Sequence, residues 1–280
     1  MYALTTYSRM LALFLPVLGL CFYSSLVLGG PLHIKIVESP SASKFDPTGY
    51  YEKALRLALE KTRAQEGEFI IEHAPFIPSV DRIKSMLINN VGVDVLWGSA
   101  TDERKAGMRY IPVDLLQNLN NYRALLIRKE SLSHFKKVTR LAQLKALRAG
   151  NGTHWTDTGI LRKNQFNLAT AVDFSLLIKM LRASRIDFIT RGLHEVALDL
   201  EIFKDYDLAV SSAVMLHYEH PIHYGFFVRK EDEALAVRIE RGLHLAQADG
   251  SLDELFLGEP AFAFGKSLLK ADTLILELNN

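Results

Sequence analysis

Cysteine is almost absent: the chain of 280 residues holds one, Cys21. That excludes a disulfide framework and any metal site built from cysteines. A charge excess is missing too, since 33 Lys and Arg stand against 32 Asp and Glu. No global basic field recruits nucleic acid, and the basic run over 128–148 lacks the interleaved aromatics that stack on bases. Internal repeats and low-complexity segments are also lacking. With 49% hydrophobic and 23% charged residues, the composition is that of a folded globular chain. The length allows one large domain or two modest ones.

What is there begins at the N-terminus. Residues 1–29 carry a single charged side chain, Arg9, followed by an apolar run over 10–23 and the small pair Gly29-Gly30 ahead of Pro31. A positive start, an apolar centre and a small-residue end make a secretory signal peptide, with cleavage expected after Gly29. Pro16 and Gly19 interrupt a stretch already short for a membrane span, which argues against a retained anchor. Leu20 precedes Cys21 where a lipid-attachment site wants a small residue. Loss of Arg9 leaves 32 residues of each sign, a neutral mature protein without a thiol. Export without disulfides fits a bacterial periplasm, where the Asn151-Gly152-Thr153 sequon has no glycan role.

Periodicity predicts strands over 32–37, 68–73 and 93–97, alternating with helices over 50–63 and from Ser79 to about 90. This βαβαβ order predicts a parallel sheet flanked by helices. Further strands are predicted over 110–113 and 122–128, a helix over 135–149, a polar loop over 151–159, and an amphipathic helix over 172–182. A strand over 186–190, a helix over 193–203, strands over 208–216 and 224–228, and a last helix over 232–247 complete the reading. A second sheet thus starts near Tyr122 and ends near Leu216, after which the chain returns to the first. The expected organisation is a signal peptide over 1–29, a first lobe over 30–118, a second over 119–220, and a return to the first over 221–280. Two crossing segments, near 116–122 and 217–224, would act as the hinge. A ligand would lie between the lobes, at the carboxyl ends of the strands.

The most informative stretch is 93–108, Val-Asp-Val-Leu-Trp-Gly-Ser-Ala-Thr-Asp-Glu-Arg-Lys-Ala-Gly-Met. It reads as a buried strand ending at Trp97, a break at Gly98, a hydroxyl-rich turn and a helical run bearing Arg104. A hydroxyl, free amides and a two-pronged guanidinium at a strand end make a place for an anion. The alternative is an ordinary strand-to-helix turn with a surface arginine.

Asp94, the turn reaching Arg104 and Lys105, together with the element order and the signal peptide, resemble bacterial solute-binding protein family 3. These are the periplasmic receptors of polar amino-acid ABC importers, with a two-lobed type II α/β fold. The resemblance covers about 32–264 and includes Arg185-Ile186-Asp187-Phe188, which lacks the family's glycine, the crossing 224–230, and Ala248-Asp249-Gly250-Ser251. It implies that Ser99 and Arg104 hold the ligand's carboxylate, and that Gly152-Thr153 stands where the second lobe's Gly-Ser/Thr helix start lies. Two departures bear on the ligand. Glu38-Ser39-Pro40-Ser41 replaces the family's Pro-Phe aromatic pocket, and Arg191-Gly192 occupies the place of the acidic residue that grips the amino group. Glu195 is a possible substitute.

The expected site is therefore Trp97, Ser99 and Arg104 from the first lobe, with Thr153, Trp155 and Arg191 closing from the second. Trp155 would stack on the ligand or cap the core; Arg191 would meet an anion or neutralise Glu195. Asp157 and Thr158 fit a helix N-cap pair. His217, His220 and His223 with Glu219 have metal-like spacing, but Pro221 breaks any helix aligning them, and no metal or cofactor is expected. His154 with Asp157 evokes a triad without a nucleophile elbow to serve it. The expected function is capture of a small polar, carboxylate-bearing solute by a monomer that serves an inner-membrane ABC permease or a sensor. The alternatives are a dehydratase-like enzyme on the same scaffold and an interaction module with a degenerate cleft.

Overall fold

The computed structural model describes residues 30–38, 43–77 and 79–280; the signal-peptide reading of 1–29 lies outside them. The first lobe opens with β1 (Leu32–Val37), α1 (Thr48–Glu66), β2 (Phe69–Ala74), α2 (Val80–Ile88), β3 (Val95–Ser99), α3 (Asp102–Gly107) and β4 (Arg109–Tyr110). The second carries β5 (Tyr122–Arg128), α4 (Leu132–Phe135), α5 (Leu141–Ala146), β6 (Arg148–Gly152), α6 (Thr156–Lys163), β7 (Asn167–Ala171), α7 (Phe174–Arg182), β8 (Phe188–Gly192), α8 (Val196–Ile202), β9 (Leu208–Val210) and β10 (Val214–Tyr218). After β11 (Tyr224–Val228) come α9 (Glu233–Ala248), α10 (Ser251–Leu257), α11 (Pro260–Ser267) and β12 (Leu274–Leu278).

β1 and β2 pair in parallel, and β3 lies between β1 and the antiparallel β11, with β4 beyond. One side chain joins β1 to β3: the Asp94 carboxylate accepts the Lys35 amide at 2.7 Å while the Asp94 amide donates to the Lys35 carbonyl at 2.8 Å. The second lobe repeats the device, the Asp187 carboxylate accepting the Arg148 amide at 2.7 Å and its amide returning to the Arg148 carbonyl at 2.7 Å. The second sheet runs β12-β10-β5-β8-β6-β7, with β9 against β5.

Three expectations change here. The helix expected over 135–149 breaks into α4 and α5, its end together with the start of the expected loop becomes β6, and the end of that loop is the first turn of α6. The strand expected over 208–216 divides into β9 and β10. The return segment 221–280 does not stay with the first lobe, because β12 pairs in parallel with β10 of the second sheet. The chain therefore passes between the lobes a third time, after α11.

β5 is buried on both faces: Leu125 and Ile127 enter one core, Leu126 the other, so the strand reads as a continuous apolar run. α1 presents Tyr51, Leu55, Ala58, Leu59 and Thr62 at helical spacing, and Gly67, with φ of 85°, ends it by returning its amide to the Arg63 carbonyl. The largest core is continuous across the junction, where Tyr50 and Phe262 share one cluster with Leu193, Val196 and Met215. α1 and α9 cross at Gly242, where a Cβ would stand 1.9 Å from the Ala58 carbonyl oxygen. Gly242→Ala is expected to destabilise the protein by about 1–3 kcal/mol through overpacking, despite the better helix propensity of alanine. A lowered urea midpoint at unchanged slope is the reading that checks it.

The crossing segments are clamped by side chains. Asp114 accepts the Tyr224 amide at 3.0 Å, Asn121 the Ile222 amide at 2.7 Å, and Asn120 donates to the Ile222 carbonyl at 2.8 Å. Gln117 and Asn118 both adopt left-handed backbone, with φ of 47° and 69°, and mark the sharp turn where the first crossing begins.

Candidate functional site

Ser99 closes β3, which runs two residues further than expected, so Gly98 lies within the strand. The Thr101 hydroxyl caps α3 by accepting the Arg104 amide at 3.3 Å. Since α3 has only six residues, the positive element of this turn is the Arg104 side chain more than the helix start. Its guanidinium donates to the Ser99 carbonyl at 3.2 Å and brings Nη1 over Gly98, where a Cβ would meet it at 2.0 Å. Arg104 is half-buried and makes no ion pair among the described residues.

Trp97 forms one wall of a cavity of about 270 Å³ at the ends of β1 and β3, shared with Val37, Glu38, Phe76, Ile83 and Tyr224. Tyr51 stacks on Trp97, with ring centres 5.4 Å apart, and on Tyr224 at 5.2 Å. His194, beyond β8, continues the row at 5.4 Å from Tyr224. A chain of rings thus runs from the first lobe to the second.

The second-lobe candidates are arranged otherwise than expected. The Arg191 guanidinium lies against the Trp155 and Phe174 rings, 4.8 and 4.6 Å from their centres. It is bound to Asp199 by two contacts, 2.5 and 3.2 Å, and stands 3.4 Å from Glu195. Its charge is thus matched within the protein, which corrects the expectation that it meets an anionic ligand. Trp155 lies over Gly152, where a Cβ would stand 2.3 Å from the indole. Thr153 is half-buried, its amide donating to the Ala171 carbonyl at 2.9 Å. The Glu195 carboxylate accepts the Gly192 amide at 3.0 Å. Burial opposes its ionisation, yet Arg191, His194 and Arg123 hold its pKa down at about 2.

Asp157 and Thr158 do not cap α6. The Asp157 carboxylate pairs with Arg123 at 3.0 Å and accepts the Tyr218 hydroxyl, while the Thr158 hydroxyl donates to the Gly152 carbonyl at 2.5 Å. With Asp157 so engaged and His154 exposed, the triad does not assemble. His217 pairs with Glu277 of β12 at 2.7 Å, and among the described residues no group of three His, Cys, Asp or Glu is placed to hold a metal.

Sequence reading missed Arg123 and Tyr218, whose partners lie far along the chain, Asp199, eight residues from its partner Arg191, and Tyr51, which reads as ordinary helix core. His194 carries a pH signal. Burial lowers its imidazole to about 4, with Arg123 and Arg191 adding to the effect against the pull of Glu195. Between its ordinary value of about 6.5 and about 4, the unfolded chain takes up a proton that the folded protein refuses. Stability is therefore expected to fall as pH drops through that window, by up to about 1.4 kcal/mol per pH unit. Urea titrations at pH 7 and 5 should show the loss, and His194→Phe should flatten it.

The fold is that of the two-lobed type II periplasmic binding proteins. No protein-family model and no curated protein matches the chain. An ancestral arginine-binding protein bound to glutamine is similar at a TM-score of 0.58 and 18% identity, over 84% of this chain and 99% of that one. An amino acid ABC transporter substrate-binding protein from Streptococcus pneumoniae bound to L-arginine gives 0.58 at 15% identity, over 84% and 93%. A histidine kinase sensor domain similar to periplasmic binding proteins gives 0.58 at 16%, over 82% and 96%.

Proposed function

We propose that this protein is a divergent member of solute-binding protein family 3 that captures a small carboxylate-bearing solute, exported by a cleaved signal peptide to the periplasm. The observation that carries the reading is Arg104: a half-buried cation that makes no ion pair among the described residues, laid over Gly98, next in the chain to Trp97 on the cavity wall. A guanidinium in this setting offers two parallel donors to a carboxylate, the strongest recognition available to a small anion. Ser99 stands next to it, and Trp97 supplies the adjoining wall. Thr153 faces the solute from the second lobe, and the Trp155–Arg191 pair forms a rigid wall there rather than a charge for it.

Closure then follows from a ligand that touches both lobes at once and so favours the closed arrangement. The partner is an inner-membrane ABC permease or a sensor protein, and similarity to both kinds of neighbour supports that pair of choices. The protein acts as a monomeric binder rather than an enzyme: Asp157 and Asp199 are tied to arginines, and Glu195 is held ionised beside Arg191.

Thermal-shift measurement against amino acids, dicarboxylates, polyamines and short peptides tests the reading. At least one carboxylate should raise the melting temperature, by the equivalent of about 2.7 kcal/mol at a hundredfold excess over Kd, and be recovered unchanged. No response from any carboxylate, or turnover of the ligand, would refute it.

A further inference from the structure

We infer that the solute is an apolar carboxylate, an aryl- or branched-alkyl alkanoate, and that it carries no α-ammonium group. The inference rests on the reading of Arg104 as the carboxylate's partner and adds the character of the rest of the molecule.

The cavity that Trp97 lines, one residue before the Gly98 that Arg104 covers, is walled chiefly by hydrocarbon: Val37, Phe76, Val80, Ile83, Trp97 and Tyr224. Its volume of about 270 Å³ is that of about nine liquid waters, enough for a phenyl or indole ring with a short acid chain. Phe76 and Val80 stand at its mouth with 48% and 55% of their surface in water. Large side chains left exposed together around a cavity mark a place where apolar surface is covered on binding. The ring row of Trp97, Tyr51 and Tyr224 gives one wall a flat, rigid aromatic face.

An α-ammonium would sit one carbon from the carboxylate, beside the Arg104 guanidinium, and would need an acceptor there. Three buried or half-buried second-lobe carboxylates are already engaged: Asp157 with Arg123 and Tyr218, Asp199 with Arg191, Glu195 with Arg191 and the Gly192 amide. Asp81, nearest on α2, is paired with Lys84. Among the described residues Glu38 is the one carboxylate on the cavity wall, and it is exposed. A cation buried without a partner costs more than the apolar contact recovers. An acid lacking the amino group avoids that cost and still fills the cavity.

The test is calorimetric titration of the full chain with three matched pairs: 3-phenylpropionate with L-phenylalanine, indole-3-propionate with L-tryptophan, and 4-methylpentanoate with L-leucine. The inference expects at least one des-amino acid to bind tenfold or more tightly than its amino partner, and Phe76→Ala, at an exposed position, to weaken it about tenfold. Equal or tighter binding of the amino acid overturns the inference, and Glu38→Gln then shows whether Glu38 holds the ammonium. If none of the six binds while L-arginine, L-glutamine or L-glutamate does, the inference falls and the carboxylate reading stands. If no carboxylate binds at all, both fall.

Discussion

Replacing Asp157 by alanine is expected to cost the fold about 3–5 kcal/mol, the usual penalty for removing one partner of a buried ion pair. The Arg123 and Asp157 side chains are only 6% and 10% exposed. The loss would take away the carboxylate that Arg123 and the Tyr218 hydroxyl share, leaving the guanidinium on the neutral Tyr218 oxygen, which accepts its Nε–H at 2.8 Å. Burial pushes the Tyr218 phenol well above its ordinary range, so it stays neutral and cannot replace the carboxylate's charge. Against a typical total of about 5–15 kcal/mol, this is a large fraction of the stability. Asp157→Asn should cost less, because it keeps an acceptor. The double change Arg123→Met with Asp157→Leu should recover much of the loss, since an apolar pair of similar volume avoids the uncompensated charge. Urea denaturation of the three variants decides: a cost below about 1 kcal/mol for Asp157→Ala would show that the pair does not hold the sheet to α6.

Arg104→Gln is expected to do the opposite, harming binding and sparing the fold. Among the described residues the side chain makes one hydrogen bond, to the Ser99 carbonyl. Its removal should therefore change stability by less than about 1 kcal/mol. For a carboxylate ligand, losing a charge-assisted contact worth about 1.5–3 kcal/mol lowers affinity roughly 10- to 150-fold. Gly98→Ala should weaken binding by the same route while leaving the arginine in place, because the new methyl group would occupy the guanidinium's position at 2.0 Å. If Gly98→Ala binds as the unaltered protein does, the arginine is not held where ligand recognition needs it.

Much of the framework was legible because it rests on local signals. β5 and β11 run over 122–128 and 224–228 as periodicity predicts, and Ser79 caps α2 with its side chain on the Arg82 amide at 3.3 Å. The turn to Arg104 was legible for the same reason: its hydroxyls, its cap and its arginine lie within six residues. β6 was not, since Arg-Ala-Gly-Asn-Gly carries two glycines and reads as a loop. Space explains them: a Cβ at Gly150 would meet Ile186 at 2.2 Å, and one at Gly152 the Trp155 ring at 2.3 Å. The strand is chosen by tertiary packing over local preference. β12 escaped notice because its pairing with β10 joins residues 60 apart.

The second lobe's chemistry was the least legible part. Arg191 has a carboxylate at i+4, Glu195, and another at i+8, Asp199, and its main partner is the farther one, reached because α8 folds back along β8. Spacing alone could not choose between them, nor could it bring Phe174 against the guanidinium. Arg123 and Asp157 lie 34 positions apart, with no motif to link them.

The central claim is that Arg104 recognises a carboxylate, and the most direct measurement compares each small acid with its neutral primary amide by thermal shift, on the unaltered protein and on Arg104→Gln. The account predicts that an acid raises the melting temperature of the unaltered protein, that its amide does not, and that Arg104→Gln loses the response. An amide as effective as its acid, or a full response retained by Arg104→Gln, would contradict it.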